Sequence, residues 1–228
     1  MNFPNNIIDA LSIDCLIFGF KKGELDILLV QHAEGISKGK WALPGGWIRY
    51  NESVSDAAVR LLHDLTGVPK IYMEQLGVFG DVDRYPQKRV ITIGYFALVK
   101  PENYKLHAGF TASDANWFKL SAVPNLPYDH NKILNVGVRH LKHKVRHEPI
   151  GFNLLPRKFT LHQLQELYEA VLETKLDKPN FRRKLMKMNL LAASKEKQKD
   201  VSHRAASLYK FDKKTYDKLK EKGFTFEL

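Results

Sequence analysis

A single cysteine, Cys15, is all that these 228 residues contain. No disulfide framework can brace such a chain, and a reducing, cytoplasmic setting is expected. Cys15 sits inside the apolar run SIDCLIFGF, which predicts a buried, inert thiol. Long hydrophobic runs are missing too: nothing approaches the roughly 18 apolar residues of a membrane span, so no membrane partner is expected. The early residues include Asp9 and Asp14 and no basic leader, which argues against a secretory signal. With 44% hydrophobic and 11% aromatic residues, the chain can build a core and is not a disordered polymer. Its length suits one large domain or two small ones.

Negative charge is scarce, and scarcest late in the chain. Residues 151–228 hold 18 Lys+Arg against 10 Asp+Glu, a surplus of +8. Residues 1–150 hold 18 against 15, a surplus of only +3. A third of the chain thus carries most of the net +11. That asymmetry points to a polyanionic partner, nucleic acid first and an anionic membrane second.

The hydrophobic pattern orders the elements. Ala10 to Phe20 and Glu24 to His32 read as strands joined by a Lys-Lys-Gly turn. After the loop GISKGKWALPGGW, Ser53 caps a helix with Asp56 at its third position. Its apolar set is Val54, Ala57, Ala58, Leu61, Leu62 and Leu65, and Gly67 and Pro69 end it. Strands are expected at Tyr72 to Phe79, Val90 to Val99 and Ala115 to Leu120, then a basic amphipathic helix at His130 to His147. Pro149, Gly151 and Pro156 cluster near Glu148 to Lys158, and the domain boundary is placed there, giving domains 1–150 and 151–228. Beyond it, Thr160 and Gln163 form a capping box ahead of a helix with Leu161, Leu164, Leu167, Tyr168, Val171 and Leu172 as one stripe. A second, basic helix NFRRKLMKM follows, with Phe181, Leu185 and Met188 facing inward. Leu190 to Ala193 and Ser207 to Phe211 then form a hairpin with a charged tip, and KKTYDKLKEKGFTFEL adds a short helix and a tail. Two helices, the second basic, followed by a hairpin make the plan of a winged helix-turn-helix.

Such a module needs exposed Arg, Lys and Asn near the start of its second helix, because Arg offers a bidentate fork to bases or phosphates and Lys a point charge. Lys178, Asn180, Arg182, Arg183, Lys184 and Lys187 are the expected DNA-contacting residues, with Arg204 reaching from the hairpin tip. No aromatic stacking platform accompanies the basic helix, which disfavours an RNA-binding module.

The segment LPGGWIRYNESVSDAAVRLLHDLTGV (residues 43–68) resembles the Nudix box, the signature of diphosphate hydrolases. Gly46, Glu52, Arg60, Leu62, Gly67 and Val68 are in register, but the three glutamates that follow the Arg are here Leu61, Asp64 and Leu65. Positions 61, 64 and 65 share one helical face. On that face a Nudix enzyme holds Mg²⁺ with carboxylate oxygens, and leucine has no lone pair to offer. The expectation is therefore no catalytic residues, no metal and no cofactor, with Glu52 and Asp64 as the remaining carboxylates.

WALPGGW, EQLGVFGDVDR, RVITIGYFALV, LPYDH, FTLHQLQELYEAVL and NFRRKL resemble, in order, blocks of the Nudix-related transcriptional regulators, the NrtR family. The resemblance implies an N-terminal α/β/α Nudix-like sandwich that senses a small molecule, followed by a winged-helix domain. It further implies a homodimer on a palindromic double-stranded DNA operator, released when the effector binds. Members resembling this chain answer to arabinose or to ADP-ribose. Leu61 and Leu65 favour a pentose such as L-arabinose, with ADP-ribose as the alternative effector and hydrolysis of ADP-ribose or a sugar nucleotide as the enzymatic one. A sugar wants charged partners for its hydroxyls and an aromatic face, and Lys40, Trp41, Arg49, Asp81, Asp83, Arg84 and Tyr95 are the expected effector contacts. The nine histidines lack ligand spacing, and His130, His140, His143 and His147 read as a solvated helix face.

Overall fold

The computed structural model describes residues 8, 10–198 and 205–228. The chain forms two compact units. The described residues up to Gly19 join Asp26–Arg139 in the first, and Phe20–Leu25 join His140–Leu228 in the second.

In the first unit, strands β1 (Leu11–Lys21) and β2 (Glu24–His32) are linked by Lys22 and Gly23, both at positive φ (53° and 80°). That is the conformation a two-residue hairpin turn demands. There follow β3 (Trp41–Ala42), β4 (Gly45–Trp47), helix α1 (Val54–Thr66), β5 (Glu74–Phe79), β6 (Ile91–Val99), β7 (Ala112–Lys119) and helix α2 (His130–His147), of which the residues up to Arg139 belong to this unit. One mixed sheet runs β3-β2-β1-β6-β5, with β4 added to β1 and β7 to β2. The pairing of β1 with β6 is parallel, from Leu11 opposite Ile91 to Gly19 opposite Val99. Strands β3 and β4 fall in the segment expected as loop, because two- and three-residue strands carry no period.

Alternation along β1 divides the sheet's two faces. Ile13, Cys15 and Ile17 pack with Ala57, Ala58, Leu61 and Leu62 of α1. Leu16 and Phe18 point to the other face, where a Cβ on Gly137 of α2 would come within 2.3 Å of Leu16. Helices thus cover both faces, giving the α/β/α sandwich. As expected, Cys15 is fully buried, and burial, then the charge of Asp14, pushes its thiol pKa up. Ser53 caps α1 by accepting the Asp56 amide, and Gly67 ends it in the left-handed region (φ 71°).

The second unit holds a 3-10 turn (Pro149–Leu154), α3 (Leu161–Leu172), α4 (Lys178–Lys187), β8 (Leu191–Lys197), β9 (Ser207–Phe211) and α5 (Lys213–Glu221). The Thr160–Gln163 capping box is present. Tyr168 of α3 meets Phe181 of α4 at 5.6 Å between ring centroids, and Phe152 stacks on Phe211 of the hairpin at 4.4 Å. Phe159 and Tyr209 exchange two backbone hydrogen bonds, 3.0 and 2.8 Å, tying the hairpin to the segment before α3. Helix α4 starts at Lys178, ahead of the expected Asn180, because Asp177 caps it and Pro179 suits the first turn. Met188, expected to face inward, is only half-buried beyond the end of α4, whereas Phe181 and Leu185 are buried.

Candidate functional site

The loop and helix of the Nudix-like segment are held by an arginine fork. Arg60 donates from Nε to Glu52 Oε2 (2.7 Å) and from Nη2 to Glu52 Oε1 (2.6 Å), and Nη2 also reaches the carbonyl of Trp47 (3.1 Å). The backbone amide of Arg49 donates to the same carboxylate at 2.8 Å. These hydrogen bonds, that of Arg60 foremost, hold the Glu52 pKa down at about 2. Asp64 lies 3.7 Å from Arg60 Nη1. Leu61 and Leu65 point inward and are each 3% exposed. Gly46 has no side chain because Leu61 fills its space: a Cβ there would stand 2.7 Å from Leu61 Cδ2.

On the other face of β1 a cavity of about 140 Å³ opens. Ser12 and Asp14 of β1, His32 of β2, the Gly45–Trp47 strand, Arg84 and Tyr85 of the β5–β6 loop, and Tyr128 and His130 at the start of α2 surround it. Its base is an ionic cluster. Arg84 donates Nε (2.9 Å) and Nη2 (2.7 Å) to Asp129, Nη2 (3.3 Å) to Asp14, and Nη1 to Thr92. Gly45 lets Asp14 in, since a Cβ would come within 2.3 Å of its carboxylate. Burial raises the Asp14 pKa to about 7 against the pull of Arg84. His130 is pushed down to about 3 by burial, then by Arg84. It is therefore neutral, and its Nδ1 accepts the Leu43 amide at 3.1 Å.

This corrects the reading of His130 as part of a solvated face: it is 5% exposed, because α2 begins against the sheet. His143 and His147 are exposed and stack at 4.3 Å, whereas His140 is half-buried.

Of the seven expected effector contacts, Arg84 lines this cavity. Trp41 packs edge-on against Phe118 at 4.7 Å. Lys40, Asp83 and the Arg49 side chain are exposed, and Asp81 is paired with Lys132 on the surface. Tyr95 is buried on the α1 face beside Cys15, with its hydroxyl 3.2 Å from Ser55 Oγ and from Gln75 Nε2. Asp14, His32, Trp47, Tyr85, Tyr128 and His130 escaped sequence reading. Asp14 carried a signal, as the one charged residue inside a buried apolar strand.

On the second unit, Lys178, Asn180, Arg183, Lys184 and Lys187 are exposed on α4, and Arg182 is half-buried. Arg183 Nη2 donates to Asn180 Oδ1 at 2.5 Å. Arg204 lies outside the described residues. Among the described residues, no helix is long and apolar enough to cross a membrane.

Two domain classes are thus joined in one chain, a Nudix fold and a winged helix. Residues 9–136 match the NUDIX domain model, and residues 151–211 match the NrtR DNA-binding winged helix domain. The chain is 31% identical to the ADPR responsive transcriptional repressor NtrR of Acinetobacter baylyi, over 91% of this chain and 84% of that one. It superposes on Shewanella oneidensis NrtR complexed with a 27mer DNA with a TM-score of 0.74 and 27% identity, covering 95% of this chain and 97% of that one. The NUDIX domain of that protein complexed with ADP ribose matches at a TM-score of 0.55 and 28% identity, over 61% of this chain and 94% of that one. The Nudix part is also 38% identical to the ADP-ribose pyrophosphatase of Methanocaldococcus jannaschii, over 57% of this chain and 73% of that one. The chain belongs to the NrtR family of Nudix and winged-helix regulators.

Proposed function

We propose that this chain is a transcriptional repressor whose winged helix grips duplex DNA and whose Nudix unit binds ADP-ribose, which releases the DNA. The carrying observation is the 31% identity, through both domains, to a repressor named for its response to ADP-ribose. ADP-ribose replaces the pentose expected from the leucines of the box: a lost metal face bears on hydrolysis and leaves ligand binding open. Arg84 and the aromatic residues around the cavity are the proposed effector contacts, with Lys40, Trp41, Arg49, Asp81, Asp83 and Tyr95 as further candidates. Lys178, Asn180, Arg182, Arg183, Lys184 and Lys187 are the proposed DNA contacts, and a homodimer on a palindrome is the proposed assembly. The repressor is not an enzyme in this reading. Leu61 and Leu65 offer no oxygen, and Glu52 is committed to Arg60, so these residues do not fit a multi-metal hydrolytic centre.

Duplexes selected from a random pool, then titrated by fluorescence anisotropy, test the proposal. A palindrome should be bound and then released by ADP-ribose, not by L-arabinose; retention of the duplex at saturating ADP-ribose would sink it. A second reading, hydrolysis of ADP-ribose, is favoured by the 38% identity to a pyrophosphatase. Incubation with ADP-ribose and Mg²⁺ or Mn²⁺ tests it, and AMP release that stops when the metal is chelated would establish it.

A further inference from the structure

We propose that the cavity of the Nudix unit takes the uncharged, hydroxyl-bearing sugar end of the effector and leaves the phosphates at its mouth. The inference rests on the ADP-ribose reading above. Size sets the first constraint. At about 140 Å³ the cavity is well below the roughly 300–1,000 Å³ of ordinary small-molecule sites, so it admits one moiety of a large ligand.

Charge sets the second. Arg84 would be the natural phosphate clamp, but four of its five N–H donors go to Asp129, Asp14 and Thr92, and the two carboxylates balance its charge. Two carboxylates flank this one guanidinium, and His130 beside them is neutral. The floor is therefore neutral or negative, and a phosphate pushed into it would be stripped of water without gaining a cation. A cation stands against the cavity wall and outside its lining: Lys88 Nζ lies 4.7 Å from the ring centroid of Trp47, which lines the cavity.

Hydrogen bonding sets the third. Because His130 Nδ1 accepts from Leu43, the proton of the neutral ring is on Nε2. That nitrogen is 3.5 Å from Asp14 Oδ1, longer than a good hydrogen bond. A donor and an acceptor stand side by side, and a hydroxyl, which does both, can serve them together. His32 Nε2, on the same cavity, is buried with no hydrogen-bond partner among the described residues. Burying a polar atom unpaired is costly, and a ligand hydroxyl would remove that cost. Tyr85, 6.0 Å from Trp47 and 5.1 Å from Tyr128 between centroids, continues an aromatic wall on which the C–H face of a sugar can lie.

Isothermal titration of the full chain with ADP-ribose, ADP and ADP-ribose 1″-phosphate tests the orientation. ADP-ribose should bind at least about tenfold more tightly than either, since a site built for hydroxyls rejects ligands that lack or block them. His32→Leu should shrink the preference for ADP-ribose over ADP at least about fivefold without lowering the melting temperature. Equal affinity for ADP and ADP-ribose, tolerance of the 1″-phosphate, or an unchanged preference in the variant overturns the inference and leaves the effector reading standing. Absence of any ADP-ribose binding removes both.

Discussion

Arg60 holds Glu52 in a two-pronged grip, 2.7 Å from Nε and 2.6 Å from Nη2, so the Glu of the Nudix segment is part of the scaffold of its own loop. Charge-assisted bonds of this kind are short and fix geometry.

Removing the charge with Glu52→Gln should lower stability by about 1–3 kcal/mol, as expected for a lost bond to a charged group. Urea unfolding measures it, and an unchanged midpoint would show that the fork contributes nothing.

Restoring the acid of the hydrolase signature should fail. Leu61 is 3% exposed and pressed against Gly46, so Leu61→Glu puts a carboxylate among apolar side chains. A loss of about 3–5 kcal/mol is expected for an uncompensated buried charge. A folded, Mg²⁺-dependent L61E hydrolase would contradict the description of this face as core.

Asp14 and His130 should give opposite pH slopes. The folded Asp14 pKa, about 7, lies above the ordinary 3.8, so its contribution is full below pH 3.8 and declines up to pH 7. The folded His130 pKa, about 3, lies below 6.5, so its contribution is full above pH 6.5 and declines down to pH 3. Between pH 4 and 6.5 the two oppose each other, each by up to about 1.4 kcal/mol per pH unit. His130→Asn, whose carbonyl can still accept the Leu43 amide, should therefore gain stability on acidification, and Asp14→Asn should lose it more steeply. Parallel melting curves for the two variants across that window would refute the assignment.

Arg183→Ala should weaken duplex binding and reduce the salt slope of log K by about 1, for one phosphate contact. The side chain is exposed, so stability should change by less than about 0.5 kcal/mol. Anisotropy at several salt concentrations reads the first effect, and thermal melting the second.

Phe181→Ala separates scaffold from contact on the same helix. Its ring is 6% exposed against Tyr168, and its loss should cost about 3–5 kcal/mol. DNA binding should fall with the folded fraction, and a stable variant with normal binding would place Phe181 outside the core.

Much of this was legible in the chain. Helix α2, strands β2 and β9, the Thr160 capping box and the burial of Leu61 and Leu65 follow from local period and turn chemistry, which act within a few residues. The family was legible because its blocks recur in order. The cavity was not, because its walls come from β1, β2, β4, the β5–β6 loop and the start of α2, far apart in sequence. Tyr95 shows the same limit: its residue type could be read from the sequence, but its place beside Cys15 is set by the parallel register of β6 on β1.

The order of residues alone determined the type and order of the longer strands and helices, which of their faces are apolar, and that positive charge gathers in the last third. Folding decided which polar groups lie together. Asp14 and Arg84 are 70 positions apart, and only the closing of the sheet against α2 brings them within 3.3 Å. Local pattern reports which face of an element is buried, whereas the charge and hydrogen-bonding character of a cavity depend on long-range pairing.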